Sequence, residues 1–153
     1  MSLLEPVNNT VIIGLGSNIN PRTNISKAKK LLKKQSRFLG QSKFVKTKPV
    51  GYKKQNDYLN GAVMVATSRN PSSFKSILRK IESQLGRTRA VNRYGPRTID
   101  LDILVWNGKI VGPEFHTRDF IRKSVLELMP GLAKKPLKRT SASRKRKNAF
   151  KIP

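Results

Sequence analysis

Two carboxylates one residue apart, Asp100 and Asp102, stand in the run Thr98-Ile99-Asp100-Leu101-Asp102-Ile103-Leu104-Val105, in a chain where only 8 of 153 residues are acidic. Apolar and polar side chains alternate here, which predicts a strand with every second side chain on the same face. Ile99, Leu101, Ile103 and Val105 are expected to bury one side while both aspartates project from the other, their Cα atoms about 7 Å apart. Like charges that close repel, so cations must accompany them. Arg97 is nearby in sequence, and Arg87, Arg89 and Arg93 lie just upstream. One reading is a set of structural salt bridges. The other is a magnesium site serving a phosphorylated ligand: Mg2+ takes one or two carboxylates plus phosphate oxygens and water, and guanidinium forks grip phosphates. The arginines clustered beside Gly95-Pro96 favour the second, because phosphoryl chemistry rests on positioning and charge neutralisation.

Composition excludes other chemistries. The chain has no cysteine, hence no disulfide, thiolate metal site or cysteine nucleophile. Its single histidine, His116, excludes histidine-rich metal motifs and itself reads as an exposed loop imidazole. Any metal is therefore a hard ion on carboxylate oxygens. Gly14-x-Gly16 lacks the third glycine of a dinucleotide fingerprint, and no GxxxxGK[ST] run exists, so neither Rossmann nor P-loop binding is supported. The 33 Lys+Arg against 8 Asp+Glu give +25, which points to a polyanionic partner or substrate. Residues 134–153 hold nine of those cations and no acid, which leaves +16 on residues 1–133. The 134–153 stretch is rich in Lys, Ser and Pro, has too few apolar groups to offset the entropy of ordering, and is expected to be disordered. It is at most an electrostatic tether with non-specific affinity for nucleic acid.

The elements that must position the aspartates can be read in order. Thr10 to Leu15 is a buried strand running into the turn residues Gly16, Ser17 and Asn18. Asn20-Pro21 opens a helix whose apolar positions Ile25, Ala28, Leu31, Leu32, Phe38 and Leu39 run to a stop at Gly40. Ser42 to Thr47 reads as a strand and Lys48 to Asp57 as a functional loop. Tyr58 to Thr67 is a strong strand, and Asn70-Pro71 caps a helix with Phe74, Ile77, Leu78, Ile81 and Leu85 on one stripe, ended by Gly86. A polar loop, Arg87 to Pro96, leads to a strand over Thr98 to Trp106, an Asn107-Gly108 hairpin and a return strand at Ile110-Val111. Ser124 to Met129 reads as a short helix. This order is the ferredoxin-like α+β plan, a mainly antiparallel sheet with helices on one face. Residues 1–133 are expected to form one domain. The longest apolar stretch, Val11 to Leu15, is too short to span a bilayer, and the N-terminus lacks a secretory pattern. A cytoplasmic monomer without a membrane partner is the expectation.

The run Arg93-Tyr94-Gly95-Pro96-Arg97-Thr98-Ile99-Asp100-Leu101-Asp102 resembles the signature of the 6-hydroxymethyl-7,8-dihydropterin pyrophosphokinases. Gly14-Leu15-Gly16-Ser17-Asn18 resembles that family's first strand and turn, Asp57-Tyr58-Leu59-Asn60 its pterin-contacting strand, and Glu82 through Gly86-Arg87-Thr88-Arg89 its second helix and arginine loop. The resemblance implies transfer of pyrophosphate from ATP to the hydroxymethyl group of the dihydropterin, with release of AMP, in folate biosynthesis. It implies that Asp100 and Asp102 hold two Mg2+ ions. Arg87, Arg89 and Arg97 would bind ATP, with Arg87 and Arg97 catalytic and Arg87 on a loop that closes over the site. The pterin would be bound by Asn18, Thr47, Val50, Tyr58, Asn60 and Phe120, with Tyr58 and Phe120 against its faces and Asn60 at its edge.

The sequence departs from the family at Tyr94, where tryptophan is usual, and over residues 111–119, which are shorter than usual and lack a Pro-His pair near ATP. Two other readings stand beside the enzyme. One is a basic nucleic-acid-binding module on the same fold, although Val11 to Leu15 lacks the aromatic residues such modules stack on bases. The other is a homologue that binds ATP or pterin but turns over poorly.

Overall fold

The computed structural model describes residues 9–49, 51, 54–87 and 96–134. Its elements are β1 (Asn9–Ser17), α1 (Pro21–Gln35), β2 (Arg37–Gln41), β3 (Val45–Thr47), β4 (Tyr58–Thr67), α2 (Pro71–Gln84), β5 (Asp100–Trp106), β6 (Lys109–Ile110), α3 (Glu114–Thr117), α4 (Asp119–Leu128) and a 3-10 turn (Pro130–Lys134). All strand pairs are antiparallel and the sheet order is β2-β4-β1-β5-β6, with β3 on the same edge of β4 as β2. This is the expected ferredoxin-like arrangement. β1 lies in the middle because its run of Val11, Ile12, Ile13 and Leu15 is apolar on both faces, and all four are buried.

Burial on both faces requires cover on both, and here the expectation of helices on one face is corrected. Ile25, Ala28 and Leu32 of α1 and Phe74, Leu78 and Ile81 of α2 pack with Val11, Ile13, Leu15, Val63 and Val65 on the first face. Phe115 of α3, Val125 of α4 and Leu132 of the 3-10 turn cover Ile12, Ala62, Leu104 and Val105 on the second. The helix expected at Ser124 begins at Asp119, separated from the unanticipated α3 by Arg118 alone.

Two further boundaries differ from the sequence pattern. The first helix ends at Gln35, not near Gly40: the Ser36 hydroxyl donates to the Leu32 carbonyl at 2.8 Å. The chain then turns straight into β2, where Arg37 and Phe38 pair with Ala66 and Val65. Phe38 and Leu39 fit the helical period, but pairing with the edge of β4 gives the chain backbone partners as a further helical turn would and also packs Phe38 against the first core cluster. In place of one strand over 42–47, β2 and β3 follow each other along β4. Ser42 spans the gap, its amide donating to the Ala62 carbonyl at 2.8 Å and its Oγ accepting from the Ala62 amide at 2.9 Å.

β5 carries a bulge. Ile12 faces Val105 and Ile13 faces Ile103, which leaves Leu104 as the extra residue. Val105 is thereby turned away from Leu101 and Ile103 and packs with Leu104 in the second cluster, which corrects the expectation of unbroken alternation. The hairpin after β5 turns on Asn107 and Gly108 with φ of 51° and 80°, the paired left-handed conformations of its turn type. Among the described residues no helix is long and apolar enough to cross a membrane.

Candidate active site

The second face of the sheet is emptied by two glycines. On β1, Gly16 stands between Asn60 of β4 and Asp100 of β5, and Gly14 stands between Ala62 and Asp102. Side chains from β4 and β5 therefore look at each other across a floor without Cβ atoms. Glu114 of α3, Phe120 and Ile121 of α4, and Arg118 between the two helices also line this space, and the result is a cleft of about 350 Å³. Thr47, Tyr58, Asn60, Arg87, Arg97, Asp100, Asp102 and Phe120 all line it.

The two aspartates are treated differently. Asp100 has both oxygens on guanidinium groups: Arg87 Nη1 donates to Oδ1 at 2.8 Å and Arg97 Nη1 to Oδ2 at 3.2 Å. Asp102 has Arg79 Nη2 at 4.0 Å, beyond hydrogen-bond range. Its side chain is 61% exposed where the cleft opens above it, yet it stands on the cleft floor with protein on the other sides. Withdrawal from bulk water is the main cause of its raised pKa. Repulsion from Asp100 adds to this, Arg79 opposes it, and the pKa rises from 3.8 to about 6. Burial likewise pushes the Tyr58 phenol up, so it lies in the cleft as a neutral ring and hydroxyl.

Two carboxylates on one face, one of them strained in its charged form, fit a divalent cation. Among the described residues no group of three or more His, Cys, Asp and Glu side chains is placed to hold a metal. An ion here would take protein oxygens from Asp100 and Asp102 and the rest from ligand phosphates and water, a donor set that suits Mg2+.

On the β4 side, Asn60 Nδ2 donates to Thr47 Oγ1 at 2.6 Å, which ties two of the expected pterin residues together and points the amide oxygen toward Gly16. Asn18 is corrected. It is 2% exposed and is not among the residues that line the cleft. Its Nδ2 donates to Gln55 Oε1 at 2.8 Å and to the Asn56 carbonyl at 3.0 Å, and its Oδ1 accepts from the Arg97 amide at 2.8 Å. A buried amide with those partners is a brace between two loops. Val50 and Arg89, with Arg93 and Tyr94, lie outside the described residues, as does the chain beyond Lys134. His116 is exposed and packs edge-on against Phe115, ring centres 5.2 Å apart, outside the cleft.

Sequence reasoning missed two residues on α2. Glu82 is buried and accepts from Arg87 at 2.7 Å and from the Leu101 amide at 2.8 Å, and Arg79 pairs with it at 3.0 Å. The available signal was a carboxylate on the buried stripe of an amphipathic helix, next to Ile81, where an acid is stable only with partners.

A family model described as 7,8-dihydro-6-hydroxymethylpterin-pyrophosphokinase matches residues 12–130. The chain is 43% identical over 111 residues to the 2-amino-4-hydroxy-6-hydroxymethyldihydropteridine pyrophosphokinase of Bacillus subtilis (strain 168), covering 71% of this chain and 66% of that protein. It is 34% identical over 134 residues to the protein of the same name from Haemophilus influenzae, covering 80% and 83%. Against the Aquifex aeolicus protein of that name it is 32% identical over 144 residues, covering 84% and 88%. With its glycine-floored cleft, paired aspartates and arginines inside the matched span, the chain belongs to the 7,8-dihydro-6-hydroxymethylpterin-pyrophosphokinase family.

Proposed function

We infer that this chain transfers pyrophosphate from ATP to the hydroxymethyl group of 6-hydroxymethyl-7,8-dihydropterin, with release of AMP, as an enzyme of folate biosynthesis. The observation that carries the assignment of roles is the row Asn60-Gly16-Asp100. It sets an amide for a heterocycle edge two strand spacings, about 10 Å, from a carboxylate flanked by arginines. A bicyclic pterin lying over Gly16 with its edge at Asn60 brings its substituent toward Asp100.

Thr47 orients the Asn60 amide, and Tyr58 and Phe120 offer flat apolar faces to the ring. Arg87 and Arg97 bring fixed positive charge to the Asp100 end of the cleft, where the polyphosphate lies, and favour charge developing on the oxygen between the α and β phosphorus atoms as that bond breaks. The hydroxymethyl oxygen attacks the β phosphorus, its proton is lost, and AMP leaves. Asp100 and Asp102 would hold two Mg2+ ions, which supply charge neutralisation on the phosphates and polarise the attacking hydroxyl. Asn18 keeps the strand entry at Arg97 in register with residues 55–56. α3 and α4 cover the sheet face on which RNA-recognition modules stack bases, which argues against the nucleic-acid reading. Incubation with Mg2+, ATP and the hydroxymethyl-dihydropterin is expected to yield AMP and the pterin pyrophosphate in equal amounts. Calorimetric binding of both substrates without AMP would overturn the reading.

A further inference from the structure

β5 is an incomplete inner strand. β1 covers one edge along its length, but among the described residues backbone covers the other only from Leu104 to Trp106, through β6 and the Val111 amide, which donates to the Leu104 carbonyl at 2.8 Å. At Leu101, the residue between the two aspartates, that open edge is filled by side chains of α2. Glu82 Oε2 accepts from the Leu101 amide at 2.8 Å, and Arg79 Nη2 donates to the Leu101 carbonyl. The two are paired to each other at 3.0 Å, one turn apart on the helix. Together they offer Leu101 one acceptor and one donor, as a neighbouring strand would.

We propose that Arg79 and Glu82 act as a positioning clip for the active site, standing in for the missing strand at Leu101 and so fixing where Asp100 and Asp102 stand relative to Arg87. The proposal rests on the functional reading above, in which those three residues serve the reaction. Glu82 closes the loop of contacts, because the oxygen that accepts from Leu101 also accepts from Arg87 Nη1 at 2.7 Å, and that same nitrogen donates to Asp100 Oδ1 at 2.8 Å. Leu101 itself is fully buried on the opposite face, so its backbone cannot shift without disturbing the first core cluster. The Glu82 side chain is 2% exposed, whereas that of Arg79 is 33% exposed, which makes Arg79 the replaceable half. Neither residue is given a bond to substrate. They act through β5 and Arg87, at the phosphate end of the cleft and away from the Asn60 and Tyr58 end.

The test compares Arg79→Gln, Arg79→Lys and Glu82→Gln in the full chain by steady-state kinetics at saturating Mg2+ and by amide hydrogen exchange without substrates. Arg79→Gln is expected to fold, since Arg87 still partners Glu82, and to lower kcat about tenfold with KM for the pterin within about twofold. Arg79→Lys, which keeps one donor, recovers part of the loss. In Glu82→Gln a charge-assisted bond becomes a neutral one, and the Leu101 amide exchanges about tenfold faster than in the parent. The proposal is overturned if kcat of Arg79→Gln stays within about twofold of the parent, if KM for the pterin rises as far as kcat falls, or if Leu101 exchange is unchanged in Glu82→Gln. A parent protein that makes no AMP would defeat the functional reading, while the exchange measurement still decides whether the clip exists.

Discussion

Gly16 and Asn60 face each other across β1 and β4, and a Cβ built on Gly16 would overlap the Asn60 side-chain oxygen. The glycine is there for space, because its backbone is ordinary strand. Gly16→Ala is expected to push the Asn60 amide off Thr47 and raise KM for the pterin about tenfold or more, measured by steady-state assay. Gly14→Ala is the control. Its Cβ would meet the Leu104 Cδ1 at 3.0 Å, the end of a flexible side chain that can turn aside. That variant should keep KM within about twofold of the parent and lose about 1 kcal/mol of stability or less.

The aspartates should part company in a stability-against-pH experiment. Asp102 has its pKa raised from 3.8 to about 6, so the folded protein binds this proton more tightly than the unfolded chain. Stability from this group therefore falls as pH rises from about 4 to 6 and stays low above that. Asp102→Asn removes the penalty: without metal it should melt about 2–4 °C above the parent at pH 8, once solvent screening of so exposed a side chain is allowed for, and match it near pH 4. Asp100→Asn should move the other way at pH 8, because it weakens the pairs to Arg87 and Arg97. Both variants are expected to lose AMP formation by about a hundredfold or more. Equal melting shifts for the two would contradict the asymmetry.

The aspartate pair, its strand, the arginines and the glycine turn were legible because each is local. Alternation places two carboxylates on one face, and Asn-Pro, Asn-Gly and Gly86 mark the ends of elements by backbone preference alone. What escaped was tertiary. Nothing in the period of residues 25–39 says that Phe38 leaves the helix, because the competing partner is the edge of β4, more than twenty residues later. The bulge at Leu104 is likewise set by pairing with β1. Asn18 was legible as important but not as a brace, since its partners at residues 55, 56 and 97 are joined to it only by the fold.

Arg87 and Arg97 both hold Asp100, but only Arg87 also neutralises the buried Glu82. Arg87→Ala removes the closer of the two guanidinium groups described at that carboxylate, leaves Arg79 paired with it, and should lower stability by about 2–4 kcal/mol as well as activity. Arg97→Ala leaves no acid so deeply buried, so its loss should fall on kcat with a melting change of only about 2–3 °C. Denaturant titration beside the kinetic assay separates the two. A fall in stability as large for Arg97→Ala as for Arg87→Ala would contradict the assignment.

His116 is exposed on α3 and stacks edge-on with Phe115 outside the cleft. His116→Gln should therefore leave KM for ATP within about twofold of the parent. A large rise in KM for ATP would place the imidazole at the nucleotide.

Asn18 tests whether a residue beside the site serves it by contact or by support. Its amide has two acceptors, Gln55 Oε1 and the Asn56 carbonyl, on its nitrogen, and the Arg97 amide as donor to its oxygen. Asn18→Ala removes all three bonds in a site that is 2% exposed, and is expected to lower stability by about 2–3 kcal/mol. Asn18→Asp is the sharper variant. It keeps an acceptor for Arg97 but turns a carboxylate oxygen toward the two acceptor oxygens, so it should be at least as destabilising as alanine despite being nearly isosteric. A residue that bound pterin directly would show the opposite pattern, with melting near the parent value and KM for the pterin raised. Because the brace joins residues 55–56 to the entry of β5, kcat should fall in both variants along with stability, and high concentrations of pterin should not restore it.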